Sequence, residues 1–154
     1  MIVWTSGISV FLFRYIFKDF RADLRFVIIG SFSPVLIDKF LFVFKVTQNP
    51  ISIGHSLFLT IGLLFVLMIF TKKNTQFRSN ALLFTIGSFF YLILSFTWLN
   101  QEIFLYPLFI RSEELFQMST PVKLILNLIG GVYLIFKIKN IKSLKYFLKE
   151  GKFT

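Results

Sequence analysis

Five long apolar segments, at about residues 2–17, 26–44, 53–70, 80–98 and 119–137, constrain this chain more than any other feature. Each approaches the roughly 20 residues that an α-helix needs to cross a hydrocarbon core about 30 Å thick. Hydrophobic residues make up 56% of the 154 positions. A soluble domain of this size keeps too much of its surface in water to hide that share, so lipid is the solvent that fits. The expected fold class is all-α: a polytopic transmembrane bundle of about five helices, residues 1–137, followed by a basic amphipathic tail, residues 138–154.

The first two segments are the weakest. Arg14 can snorkel from the end of the first, whereas Asp38 and Lys39 interrupt the second and are costly at mid-bilayer. Four spans therefore remain an alternative to five. A cleaved signal peptide is disfavoured because no Lys or Arg precedes the apolar stretch from Ile2 to Phe13. The connections test the five-span arrangement independently, since cytoplasmic loops gather Lys and Arg. Arg14, Lys18, Arg21 and Arg25 flank the first connection, Lys72, Lys73 and Arg78 the third, and Lys137, Lys139, Lys142, Lys145, Lys149 and Lys152 fill the tail. The second and fourth hold only Lys45, Arg111 and Lys123. This alternation places the N-terminus outside and the C-terminus in the cytoplasm, and makes the protein a multi-pass protein of the plasma membrane.

In the tail, Ile138, Ile141, Leu144 and Leu148 recur at helical spacing with Lys139, Lys142, Lys145 and Lys149 on the opposite side. That pattern predicts an interfacial helix engaging membrane lipid and anionic headgroups; a disordered basic tail that only sets orientation is the plainer alternative. Nucleic acid is not an expected partner despite a net charge of +10, because the basic residues are divided among short clusters between apolar segments. The stretch from Leu99 to Thr120 is too apolar for a freely solvated loop. Its apolar run, Ile103 to Ile110, is too short for a sixth span, and Pro107, Glu113 and Glu114 argue the same way. A short echo, Gly30-Ser31-Phe32 and Gly87-Ser88-Phe89, is weak evidence of duplication in a chain so rich in Phe and Ser. Gly130-Gly131 with Asn127 suggests close helix packing rather than a site.

Ionisable groups inside spans are the first candidates for chemistry. Asp38 leads, about 9 Å from the outer end of the second span at 1.5 Å per residue. His55, in the first turn of the third span, is at similar depth. Pro34, four residues before Asp38, removes a backbone donor, and Ser31 and Ser33 add hydroxyls. Tyr91, Ser95, Trp98 and Asn100 lead from the fourth span to Glu102, so four segments can converge on one polar pocket. A catalytic metal site takes three protein ligands and an open position for water. Asp38 and His55 are the candidate ligands of a divalent ion such as zinc, manganese or magnesium, with Glu102 as third ligand or catalytic base. The plainer reading is that Asp38 and His55 bond each other, or pair with Lys45, as buried polar groups must. With no cysteine there is no disulfide or thiolate site, and neither a phosphate loop nor a serine elbow is present. Trp4 and Trp98 are placed as outer-interface anchors.

These residues carry a resemblance to the membrane-bound metal-dependent hydrolases of the YdjM type. Gly30-Ser31-Phe32-Ser33-Pro34-Val35-Leu36-Ile37-Asp38-Lys39 resembles that family's glycine, proline and double-aspartate motif, and Ile53-Gly54-His55-Ser56-Leu57 its histidine motif. Phe89 to Trp98 is similar to the helix that carries a histidine and an aspartate four residues apart, and Glu102 to Phe109 to the segment after it. The order and spacing match over roughly residues 7 to 110. The resemblance implies a metal-dependent hydrolase acting on a membrane-associated phosphate or ester, with Asp38 and His55 as the surviving ligands. Val35 stands where the family has its first aspartate, Tyr91 and Ser95 where it has the later histidine and aspartate, and Ser9 near its N-terminal histidine. A non-catalytic protein of the same fold, with a structural Asp38–His55 pair, is therefore the competing expectation. A transporter ranks last, with one intramembrane acid and no broken-helix pair.

Overall fold

The computed structural model describes residues 1–46, 53–108, 118–138 and 140–152. Among these the protein is all-α. The helices are α1 (Ile2–Phe17), α2 (Leu24–Val43), α3 (Leu57–Phe70), α4 (Gln76–Leu94), the short α5 (Gln101–Phe104), α6 (Thr120–Lys137) and α7 (Ile141–Glu150), with 3₁₀ turns at Ile53–His55 and Thr97–Leu99. Three of them, α2, α4 and α6, are long and apolar enough to cross a membrane. At 16 and 14 residues, α1 and α3 are shorter apolar helices. Residues 47–52 and 109–117, the latter with Arg111, Glu113 and Glu114, lie outside the described residues, as does Lys139.

Local chemistry sets the helix ends. Asp23, Ser56 and Thr75 cap α2, α3 and α4, each side chain accepting from a backbone N–H of the first turn. The Ser56 cap corrects the expected third span, because the helix begins only at Leu57. His55 therefore occupies the 3₁₀ turn before α3 rather than its first turn. The fourth segment is also shifted: α4 starts at Gln76 and stops at Leu94, because Phe96 adopts a left-handed conformation with φ 59°. Ser95 becomes a cap, and Trp98 falls in the following turn.

The burial pattern departs from that of a water-soluble protein. Thr5, Ser6, Ser9, Ser31, Ser33, Asp38, Ser56, Thr60, Thr85 and Ser88 are buried, while Phe65, Ile69, Phe70, Leu128, Ile135 and Phe136 are exposed. Small and polar residues share the helix contacts with Val10, Phe13, Val27, Leu83 and Leu92, and many large apolar residues face outward, as expected where lipid replaces water.

Two close crossings organise the bundle. At the first, α2 meets α4 through Gly30 and Gly87: a Cβ on Gly30 would lie 2.0 Å from the Phe84 carbonyl oxygen, and one on Gly87 2.2 Å from that of Val27. The Gly-Ser-Phe echo thus sits at one reciprocal contact, each glycine against the residue three before the other. At the second, Gly7 of α1 lies on Gly130 of α6, and Gly130 lies on Val3 and Trp4. Asn127 accepts from the Trp4 backbone N–H at 3.2 Å, one of the donors a helix start leaves over. Trp4 donates its indole N–H to the Leu94 carbonyl at 3.0 Å, so it ties α1 to the end of α4. Trp98 is 47% exposed.

The far end of the chain returns to the bundle. Phe147 of α7 is buried with Ala22, Leu24 and Val27. The Leu24 N–H donates to Gly151 O at 2.8 Å, and Arg25, ion-paired with Asp23, donates to the carbonyls of Leu148 and Lys149. On α7 the remaining apolar residues Ile141, Leu144 and Leu148 stay exposed beside the lysines.

Candidate functional site

The site begins with a missing hydrogen bond. Pro34 has no N–H to donate to the Gly30 carbonyl, four residues earlier in α2. In a membrane-embedded helix such an orphan needs a local substitute. Two hydroxyls supply it: Ser33 Oγ donates to Gly30 O at 2.7 Å and Ser88 Oγ lies within 3.0 Å of it, with 2.5 Å between the two hydroxyls. Ser88 reaches Gly30 only because the glycine crossing brings α4 this close.

One turn further along α2, Asp38 is 1% exposed. Its Oδ1 accepts from the Gly54 backbone N–H at 2.6 Å, and its Oδ2 lies 2.6 Å from His55 Nδ1. The other ring nitrogen, Nε2, lies 3.0 Å from the Tyr91 hydroxyl of α4. One placement of hydrogens satisfies the whole chain: Nδ1–H donates to the carboxylate, and Tyr91 O–H donates to Nε2. Gly54 has no room for a side chain, since a Cβ there would meet Pro34 O at 2.4 Å and Asp38 Oδ1 at 2.7 Å. Three separate stretches thus meet in Asp38, His55 and Tyr91, of which His55 and Tyr91 are each 8% exposed.

A fourth stretch packs on the histidine segment. Ser56 donates to the Tyr106 carbonyl at 2.5 Å while its oxygen caps α3. This contact, together with the packing of α5 on the Ile53–His55 turn, brings the segment bearing Glu102 against the histidine segment. Glu102 itself is partly exposed on α5. Ser95 is held elsewhere, 2.5 Å from the Thr97 hydroxyl, and Lys39 is exposed.

No family model, curated protein or solved structure matches the chain. The chemistry of the site must therefore be judged from its donors. A carboxylate and an imidazole that bind one ion point their lone pairs at a shared third position. Here Asp38 and His55 point at each other, and the remaining imidazole nitrogen faces a hydroxyl. Among the described residues no group of three His, Cys, Asp or Glu is arranged to hold a metal ion. As arranged, the donor set does not complete a metal site.

Asp38, His55 and Tyr91 were all visible as polar residues at one end of the bundle. Gly54 and Ser88 carry no comparable signal in the sequence. The orphan carbonyl that Pro34 creates at Gly30 was the available clue to Ser88.

Proposed function

We propose that this chain is a multi-pass plasma-membrane protein of a hydrolase-like fold in which Asp38, His55 and Tyr91 form a structural clasp rather than a catalytic centre. The supporting observation is saturation: both Asp38 oxygens and both His55 nitrogens have protein partners at 2.6 to 3.0 Å. The clasp fastens the turn before α3 to α2 and α4, which the glycine crossing has already brought together. In the proposed topology α1, α2, α3, α4 and α6 span the bilayer, with the N-terminus outside and the basic α7 on the cytoplasmic side. The clasp then occupies the outer half. α3, about 21 Å long at 1.5 Å per residue, is extended by the Ile53–His55 turn that the clasp secures. Anionic headgroups are the partner proposed for the lysine face of α7.

The deciding experiment is the metal content of detergent-purified protein, beside folded Asp38→Ala and His55→Ala variants. The clasp predicts no stoichiometric zinc, manganese or magnesium, even after reconstitution. Near-stoichiometric metal that both variants lose would overturn it.

A second reading, a divergent hydrolase acting on a lipid phosphate or ester, is favoured by one observation. The four stretches that carry the family resemblance, well separated in the chain, pack around one place. In that reading His55 is the base, Asp38 orients it, and Glu102 reaches the site from α5. Hydrolysis of a phospholipid or lipid pyrophosphate that disappears in His55→Gln would support it; unchanged turnover in that variant would remove it.

A further inference from the structure

At the end of the bundle opposite the clasp, the last turns of α1 and α6 border an open cavity of about 300 Å³ lined by Phe11, Arg14, Tyr15, Phe20, Tyr133 and Lys137. The two helices run in the same direction, as the contacts Trp4 to Asn127, Gly7 to Gly130 and Phe11 to Tyr133 show. Their final turns therefore end together, and each delivers one cation. Among the described residues neither Arg14 nor Lys137 is in an ion pair. Arg14 stacks over the Phe20 ring at 5.2 Å, which fixes its guanidinium at the cavity wall. Asp19, the acid nearest Arg14 in sequence, is turned to its own loop, accepting from the Arg21 N–H at 2.9 Å. The cavity wall is thus cationic, with two tyrosines and two phenylalanines around it. Tyr15 is 71% and Phe11 44% exposed, so the cavity opens on the outer flank of the helices.

We propose that this cavity binds the headgroup of an anionic glycerophospholipid from the leaflet at the ends of α1 and α6. A phosphodiester supplies the negative charge that Arg14 and Lys137 face, tyrosine hydroxyls are suited to the headgroup level, and the acyl chains follow the exposed apolar flank of α6. A basic pocket between membrane helices recognises a lipid through both its charge and its lateral opening to the bilayer. A competing explanation is that the two cations only offset the negative ends of the α1 and α6 dipoles, which requires no ligand. Binding depends on membrane embedment and not on the clasp; the assignment to the cytoplasmic leaflet rests on the proposed topology.

The test is native mass spectrometry of the full chain released from nanodiscs of equal phosphatidylglycerol and phosphatidylcholine, beside Arg14→Gln/Lys137→Gln and, as a charge control outside both the cavity and α7, Lys72→Gln/Lys73→Gln. Matched circular dichroism and melting verify that the variants are folded. The expected result is preferential retention of phosphatidylglycerol, weakened about fivefold per charge removed from the cavity and kept in the charge control. Equal retention of the two lipids by the wild type, or a preference unaltered by the cavity variant, would overturn the proposal. So would displacement of the lipid by millimolar inorganic phosphate, which would make the cavity a site for a free anion.

Discussion

The α2–α4 seam and the outer face of α6 follow opposite rules although both helices of the seam and α6 are long enough to cross a membrane. Along the seam the small or polar residues Gly30, Ser31, Ser33, Asp38, Gly87 and Ser88 are buried beside apolar ones such as Val27, Leu83 and Phe90, and hydrogen bonds run from one helix to the next. On α6 only Gly130 is buried, and the contact with α1 rests on close backbone approach. In lipid, apolar surface gains nothing from being hidden, so what holds helices together is backbone proximity and mutual satisfaction of polar groups. The seam is therefore the specified part of the molecule, and the outer face of α6 is comparatively permissive.

The most severe test of that contrast is Asp38→Ala. It leaves the Gly54 N–H and His55 Nδ1–H without their buried acceptor, and the expected loss of stability is about 3–5 kcal/mol, read as a lowered melting temperature in detergent. Asp38→Asn should recover more than half of that loss. Its amide oxygen can accept from Gly54, and its NH₂ can donate to Nδ1 if the imidazole moves its proton to Nε2 and donates to Tyr91. Equal damage from Ala and Asn would show that the negative charge itself is required, contrary to a purely structural clasp.

Glycine substitutions compare seam and periphery directly. Gly30→Ala must push α4 away, since the new methyl would be 2.0 Å from Phe84 O, and a cost of about 3 kcal/mol is expected. Gly62→Ala on α3 meets nothing within 4 Å and should stabilise by up to about 1 kcal/mol through helix propensity alone. If the two variants melt alike, the close crossing is not what holds α2 to α4. Tyr91→Phe is a smaller cut into the same seam: it removes one hydroxyl and leaves Nε2 without its donor, for about 1–2 kcal/mol. An unchanged melting point would exclude Tyr91 from the clasp.

How much of this could be read in advance differs by level. The apolar segments located α1, α2 and α6 to within about two residues, because hydrophobic length is a property of the local chain. The start of α3 and both ends of α4 depart from the apolar segments because they depend on the Ser56 and Thr75 caps and the left-handed Phe96, signals that an apolar run conceals. Asp38 and His55 were identifiable as partners because a membrane interior leaves few options for a buried acid. Their mutual orientation was not: both a shared ion and a direct bond fit the same spacing. The Gly-Ser-Phe echo had the opposite fate, weak as a sequence pattern but meaningful once each copy is found pressed against the helix that bears the other.

The tail gives the smallest effect on global stability and the sharpest local one. Gly151 has φ 70°, and a Cβ on it would approach Asp23 Oδ1 to 1.8 Å, so Gly151→Ala is strained both in its backbone and against the cap of α2. The Leu24-to-Gly151 hydrogen bond and the Arg25 contacts to Leu148 and Lys149 then separate, while the seam is untouched. The melting temperature should change little, by the equivalent of about 1 kcal/mol or less. Trypsin cleavage after Lys142, Lys145 and Lys149 should instead accelerate several-fold, because those bonds become accessible when the last turn of α7 lets go. Lipid vesicles rich in anionic headgroups should restore protection if the exposed Ile141, Leu144 and Leu148 face then settles on the membrane. Cleavage at the wild-type rate would mean that the latch contributes nothing to holding α7. The helix would then be held by Phe147 alone, whose burial among Ala22, Leu24 and Val27 the substitution leaves in place.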